Sequence, residues 1–344
     1  MGVLGVLGTL GSLDLEQINT SNNFEQLPDV FKEYGKSILS ICYNPIELRE
    51  KGKNLGMING LTEIFEDQIK KEKNYSNRLE GSVQLLGLMY CSFFEPKEIK
   101  TDINHEKNLK ALQGLELETL VIDQAIDNPE KYNDLDLRST NSRILYSIVT
   151  TDFYETVENS KLSNDKKFKI IKGWNNLLGD IYVGQSIDLI YTGIGPISEK
   201  DYLHMIGKTT ANFVKYSAEL GATYAMLNEE QTVAAEELGF NLGIAFQIRD
   251  DWEDFQKDIE EGKSRAFMTK EALTWLPENY RKFVTENHSR RKEEIIEIIK
   301  DSGIPVYVKD LNNEHVEKAK ELISGIHDFS IKNRLEELTN IIKI

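Results

Sequence analysis

An all-α fold is predicted by three features of the chain. Apolar residues recur at 3.6-residue spacing almost throughout, only 7 prolines interrupt 344 residues, and no break is long or simple enough in composition to read as a domain linker. The expected architecture is a single large bundle of antiparallel helices. Residues 1–25 are expected to form a flexible apolar leader, because MGVLGVLGTLGSL has no basic flank and is too short to span a bilayer. Residues 26–344 are expected to form the helical domain. Its clearest helices are Asn108 to Ile126, ending before Asn128-Pro129, Lys167 to Ile190, ending before Gly193 to Pro196, Ser198 to Met226, and Glu229 to Glu260. Further breaks fall at Glu95-Pro96, Pro277 and Gly303 to Pro305. No period of 20 to 50 residues repeats, which argues against a solenoid. Gly179, Gly184, Gly221, Ala222, Ala225, Gly239, Gly243 and Ala245 punctuate the apolar faces and permit close helix approach around an elongated cavity.

Net charge of -16 and a pI near 4.9 argue against nucleic acid or an anionic membrane as partner, since both attract cationic proteins. A phosphate-bearing substrate would then require metal or locally placed Lys and Arg. Cys42 and Cys91 are the only cysteines and lack the spacing of a disulfide framework or a metal motif, so a reducing cytoplasm is the expected location.

The stretch Gly243 to Asp254 carries the sharpest chemical signal. On a helix, Asp250, Asp251, Asp254 and Asp258 fall within about 100° of arc, while Ile244, Ile248, Trp252, Phe255 and Ile259 cluster on the other side. Stacked aspartates repel by a few tenths of a kcal/mol per i,i+4 pair unless water or a cation screens them. The stripe therefore reads either as a solvated acidic face or as hard oxygen ligands for Mg²⁺. Asp123 and Asp127 form a second i,i+4 pair at the end of an apolar helix, readable as a helix-end charge pair or as a facing metal site. Lys208 and Thr209, followed by Thr210, sit in an otherwise apolar helix where an ammonium and a hydroxyl can reach a phosphate. Gly262-Lys263-Ser264-Arg265 adds two cations on a loop.

With these residues in order, the chain resembles the trans-isoprenyl diphosphate synthase (polyprenyl synthetase) family from about Trp174 to Lys263. Gly184-Gln185 with Asp188-Leu189 resembles its GQ..DL element, and Lys208-Thr209 its KT. Phe246 to Asp254 is similar to the second aspartate-rich motif, FQ..DD..D, and Gly262-Lys263 to the GK after it. Asp123-Gln124-Ala125-Ile126-Asp127 stands where the family has DDxxD, and Glu314 to Ile344 resembles its closing helices. Squalene and phytoene synthases are a weaker resemblance, at Gln247, Asp254, Asp258 and Gly262. The family resemblance implies a usually dimeric helical bundle that holds an allylic diphosphate through three Mg²⁺ between the two aspartate motifs. Asp123, Asp127, Asp250, Asp251 and Asp254 become metal ligands or their close neighbours, and Lys208, Gln247 and Lys263 contacts to diphosphate or metal water. Gln185, Thr209, Arg78 and Arg138 join the substrate contacts.

Departures cluster upstream. The family's GGKR.RP grip on isopentenyl diphosphate has as its nearest counterpart Tyr75 to Gly81, its His position carries Glu116, and only Arg138 and Arg143 stand where it has Arg-Arg-Gly. Each charge-assisted bond lost costs roughly 1.5 to 3 kcal/mol, so the acceptor site is expected to be weakened. Three functions follow. The first is a Mg²⁺-dependent prenyltransferase that elongates an allylic diphosphate with isopentenyl diphosphate. The second is a diverged terpene synthase-like or head-to-head enzyme without the acceptor site, and the third a non-catalytic subunit that modifies a homologue.

Overall fold

The breaks read at Glu95-Pro96 and Gly303 to Pro305 become helix boundaries in the computed structural model, which describes residues 31, 85–127, 147, 149–192, 197–261, 297 and 303–344, while those at Asn128-Pro129, Gly193 to Pro196 and Pro277 lie outside them. Every regular element among them is helical. Pro96 opens α1 (Pro96–Thr101), where a proline costs no hydrogen bond, and Glu98 accepts from the Glu95 amide at 2.7 Å to close a capping box. The long helices α2 (Ile103–Asp127) and α3 (Asn164–Thr192) carry the expected segments Asn108 to Ile126 and Lys167 to Ile190. Gly303 takes φ +77°, a left-handed conformation that suits glycine, and Pro305 then lies in the first turn of α7 (Ile304–Ile323).

The described chain divides into two compact units, one drawn from residues 1–173 with 220–227, the other from residues 174–219 with 228–344. The first contains α1, α2 and a helical segment at 85–91. Its interior holds a polar cluster: Tyr90 Oη lies 2.8 Å from His105 Nδ1, and Asn108 Nδ2 donates to Tyr90 Oη at 3.0 Å. The Phe94 ring packs on His105 with centroids 4.1 Å apart. Burial lowers the His105 pKa and raises those of Tyr90 and the free Cys91 thiol, so the cluster is held neutral.

The second unit contains α4 (Glu199–Ile206), a π-helical turn (Gly207–Ala211), α6 (Glu229–Glu261), α7 and α8 (Phe329–Ile342). α3 and α5 (Asn212–Tyr224) contribute to both units. Ser198 caps α4 by accepting from the Asp201 amide, and Asn228 Oδ1 caps α6 by accepting from the Gln231 amide at 2.9 Å. Ile244, Ile248, Trp252 and Phe255, the apolar side of the acidic helix, are buried in a core with Tyr202, Met205, Val308 and Leu311. Ile259 has its side chain outside the described residues. Arg249, although it adjoins the aspartates in sequence, is buried and structural: it pairs with Glu253 at 2.6 Å and donates to the Ile341 carbonyl at 2.7 Å, tying α6 to α8. Asn312 from α7 donates to the Ala245 carbonyl at 2.8 Å beside it.

The helix expected over Ser198 to Met226 is not uniform. The π turn at Gly207–Ala211 inserts an extra residue between α4 and α5. Close packing accompanies it. A Cβ at Gly243 of α6 would lie 2.5 Å from Ala211 Cα, and one at Gly184 of α3 would lie 2.5 Å from Thr209 Cγ2. Glycines on two neighbouring helices therefore let the irregular turn be gripped from both sides. The small-residue spacing noted in the sequence serves this approach.

Candidate active site

Two helices and this turn carry the candidate residues of the second unit. α6 supplies Asp250, Asp251 and Gln247, the turn supplies Lys208, Thr209 and Thr210, and α3 supplies Gln185. Asp251 is half-buried and both of its oxygens are engaged. Gln247 Nε2, one helical turn earlier, donates to Oδ1 at 2.9 Å, and the buried Tyr202 donates its hydroxyl to Oδ2 at 2.5 Å. Thr210 Oγ1 donates in turn to Gln247 Oε1, so the amide is fixed at both ends. A chain Thr210–Gln247–Asp251–Tyr202 thus runs from the π turn across α6 to α4.

Lys208 is held separately. Its ammonium lies 2.6 Å from Asp180 Oδ1 on α3, while Asn212 Nδ2 donates to Asp180 Oδ2 at 2.8 Å. Thr209 differs from the expectation of a hydroxyl turned to phosphate, since Oγ1 donates to the carbonyl of Met205 at 3.3 Å and its methyl packs toward Gly184. Thr210, equally half-buried, gives its hydroxyl to Gln247. Gln185 is half-buried one residue beyond Gly184.

Asp123 and Asp127 fall on the last two turns of α2, and Asp254 on α6, with side chains outside the described residues. Arg78, Arg138, Lys263 and the leader 1–25 also lie outside them. Among the described residues no three or more His, Cys, Asp or Glu side chains gather into a metal cluster. The donor set nevertheless fits a hard divalent cation. Asp251 supplies a hard carboxylate donor whose plane is fixed by hydrogen bonds to both oxygens.

Tyr202, Asp180 and Asn212 were not legible as site residues. Asp180 does share a stripe with Gly184 and Asp188 at i,i+4,i+8, and Asn212 follows Lys208 by one turn, but neither spacing names its partner. Among the described residues no helix is long and apolar enough to cross a membrane.

Comparison with known proteins bears on the family and the fold. The chain is 33% identical over 166 residues to the short chain isoprenyl diphosphate synthase of Methanocaldococcus jannaschii, covering 43% of this chain and 50% of that protein. It is 29% identical over 177 residues to the geranylgeranyl diphosphate synthase of Sulfolobus acidocaldarius, covering 46% and 53% respectively. The chain spans about half the length of these curated relatives. In fold it is similar to the geranylgeranyl pyrophosphate synthetase of the archaeon Geoglobus acetivorans, with a TM-score of 0.62 and 19% identity over 91% of this chain and 98% of that one. Residues 89–305, more than half of the sequence and inclusive of every motif from Gly184 to Lys263, match the polyprenyl synthetase family, to which this all-α chain belongs.

Proposed function

We propose that the chain is a Mg²⁺-dependent isoprenyl diphosphate synthase that ionises an allylic diphosphate and elongates it with isopentenyl diphosphate. The observation that carries this reading is the Thr210–Gln247–Asp251–Tyr202 chain, which fixes a half-buried carboxylate beside the turn that bears Lys208. The names of the curated relatives, isoprenyl and geranylgeranyl diphosphate synthases, support the same substrate class. Asp250, Asp251 and Asp254, with Asp123 and Asp127 as further ligands, would hold Mg²⁺, which would supply positive charge against the departing diphosphate. Lys208 contributes fixed positive charge to the same oxygens, and such preorganised charge is the largest catalytic term expected here. Gln247 holds Asp251 in place, and the apolar core of Ile244, Ile248 and Trp252 beneath it excludes water on that side. Gln185, Arg78, Arg138 and Lys263 complete the substrate contacts of this reading, and the working form is a homodimer in the cytoplasm.

A second reading, an enzyme that ionises the allylic substrate but lacks the acceptor, is favoured by Glu116. This half-buried acid on α2 stands at the position where the resemblance expects a histidine. Product analysis tests both. Purified protein with Mg²⁺ and C10, C15 or C20 allylic diphosphate is expected to yield longer diphosphates only when isopentenyl diphosphate is added, and Asp250→Ala is expected to yield none. Hydrocarbon or alcohol released without the acceptor would establish the second reading. Inactivity alone, combined with altered products from a co-expressed homologue, would establish a partner subunit.

A further inference from the structure

We propose that Asp180 is a positioning residue for Lys208, an inference that rests on the diphosphate-binding role proposed for that lysine. Lys208 is fixed near both ends of its side chain. At the root, a Cβ on Gly184 would sit 3.1 Å from Lys208 Cβ, so α3 presses directly on the turn. At the tip, one turn earlier on α3, Asp180 Oδ1 meets the ammonium at 2.6 Å. The carboxylate is itself anchored, because Asn212 Nδ2 occupies Oδ2 at 2.8 Å and leaves the group one orientation.

An ammonium has three donors, and among the described residues Asp180 is its only partner. Two N–H groups therefore remain for a diphosphate. The pair is about one-third exposed on each side, at 33% and 34%, so the tip is within reach of an entering anion while its long, rotamer-rich stem is already ordered. Pre-ordering removes a cost that substrate binding would otherwise bear. A free latch that had to be broken by substrate would give the opposite sign, since Asp180 would then compete with the diphosphate for the lysine.

The test is calorimetric binding of inorganic pyrophosphate with Mg²⁺ to the full chain, alongside KM and kcat for the allylic diphosphate. Lys208→Ala is expected to weaken binding at least about tenfold, by the loss of one charge-assisted bond. Asp180→Ala and the near-isosteric Asp180→Asn are expected to weaken it about fivefold, chiefly in KM, with partial recovery in Asp180→Glu. In the Lys208→Ala background, Asp180→Ala is expected to have no further effect, whereas a merely structural role would persist there. Tighter binding in Asp180→Asn, or an undiminished effect in the double variant, would overturn the inference. Equal binding by wild type and Lys208→Ala would instead refute the diphosphate role of Lys208 itself.

Discussion

Each unit of the chain encloses a cluster of polar side chains between apolar helices, and the two clusters are built for different ends. In the first unit Tyr90 and Asn108 are fully buried, His105 nearly so, and burial holds the ionisable members in their neutral forms. Tyr90 bridges His105 and Asn108, and Asn108 Oδ1 is left buried without a hydrogen-bond partner. In the second unit the hydroxyl of buried Tyr202 reaches outward to a half-buried aspartate, and the π turn presents a lysine paired with another half-buried acid on α3. A sealed neutral cluster specifies packing, whereas a half-buried carboxylate with its plane fixed suits the metal-ligand role proposed for it.

The largest expected effect separates the clusters by activity. Asp251→Ala should reduce turnover by at least about a thousandfold, ~4 kcal/mol of transition-state stabilisation, with little change in melting temperature. The measurement is steady-state kinetics beside thermal unfolding. Its counterpart, Asn108→Leu, places an apolar side chain against the Tyr90 hydroxyl and should cost about 1 to 3 kcal/mol of stability, read by denaturant unfolding, without altering kcat/KM.

How far the sequence displays these clusters depends on the separation of their members. Gln247 and Asp251 are one helical turn apart, and the acidic and apolar faces of α6 share one period, so that side of the site is visible locally. The buried positions of Ile244, Ile248, Trp252 and Phe255 follow from the same period. Tyr202 lies 49 residues from Asp251 and Asp180 lies 28 from Lys208, and no periodicity connects residues on different helices. Arg249 shows the converse limit. Its place among aspartates suggests a surface ion pair, yet its guanidinium is buried and donates to Glu253 and to a backbone carbonyl of the last helix. The π turn was invisible because one inserted residue barely disturbs an apolar pattern.

Gly184→Ala sharpens the contrast from the other side. Its new methyl would meet Thr209 at 2.5 Å and the Lys208 backbone at 3.3 Å, so the turn must shift. Overpacking of this kind costs about 1 to 3 kcal/mol and should also raise the KM for diphosphate substrate several-fold. Steady-state kinetics with differential scanning calorimetry checks both parts.

The smallest effect belongs to pH. Burial lowers the His105 pKa below its unfolded value near 6.5, so the unfolded chain takes up the proton first as pH falls. Stability should be unaffected by this group above about pH 7 and decline below pH 6.5 until the folded pKa is passed. His315 is shifted the same way by burial and contributes to the same decline. Melting temperatures at pH 7.5 and 5.5 should therefore differ less for His105→Gln than for wild type, with kcat/KM unchanged between the two proteins at pH 7.5.

The contrast between the clusters is tested most directly by removing one hydroxyl from each, in Tyr90→Phe and Tyr202→Phe, and measuring melting temperature and the Mg²⁺ dependence of turnover for both. Tyr90→Phe should lower the melting temperature by several degrees and leave the Mg²⁺ dependence as in wild type, since it strands His105 and Asn108 in the interior. Tyr202→Phe should raise the Mg²⁺ concentration needed for half-maximal turnover by about tenfold with a smaller change in melting temperature, because it releases one oxygen of Asp251. Unchanged Mg²⁺ dependence in Tyr202→Phe, or the same change in both variants, would contradict the assignment of the second cluster as the metal and diphosphate site.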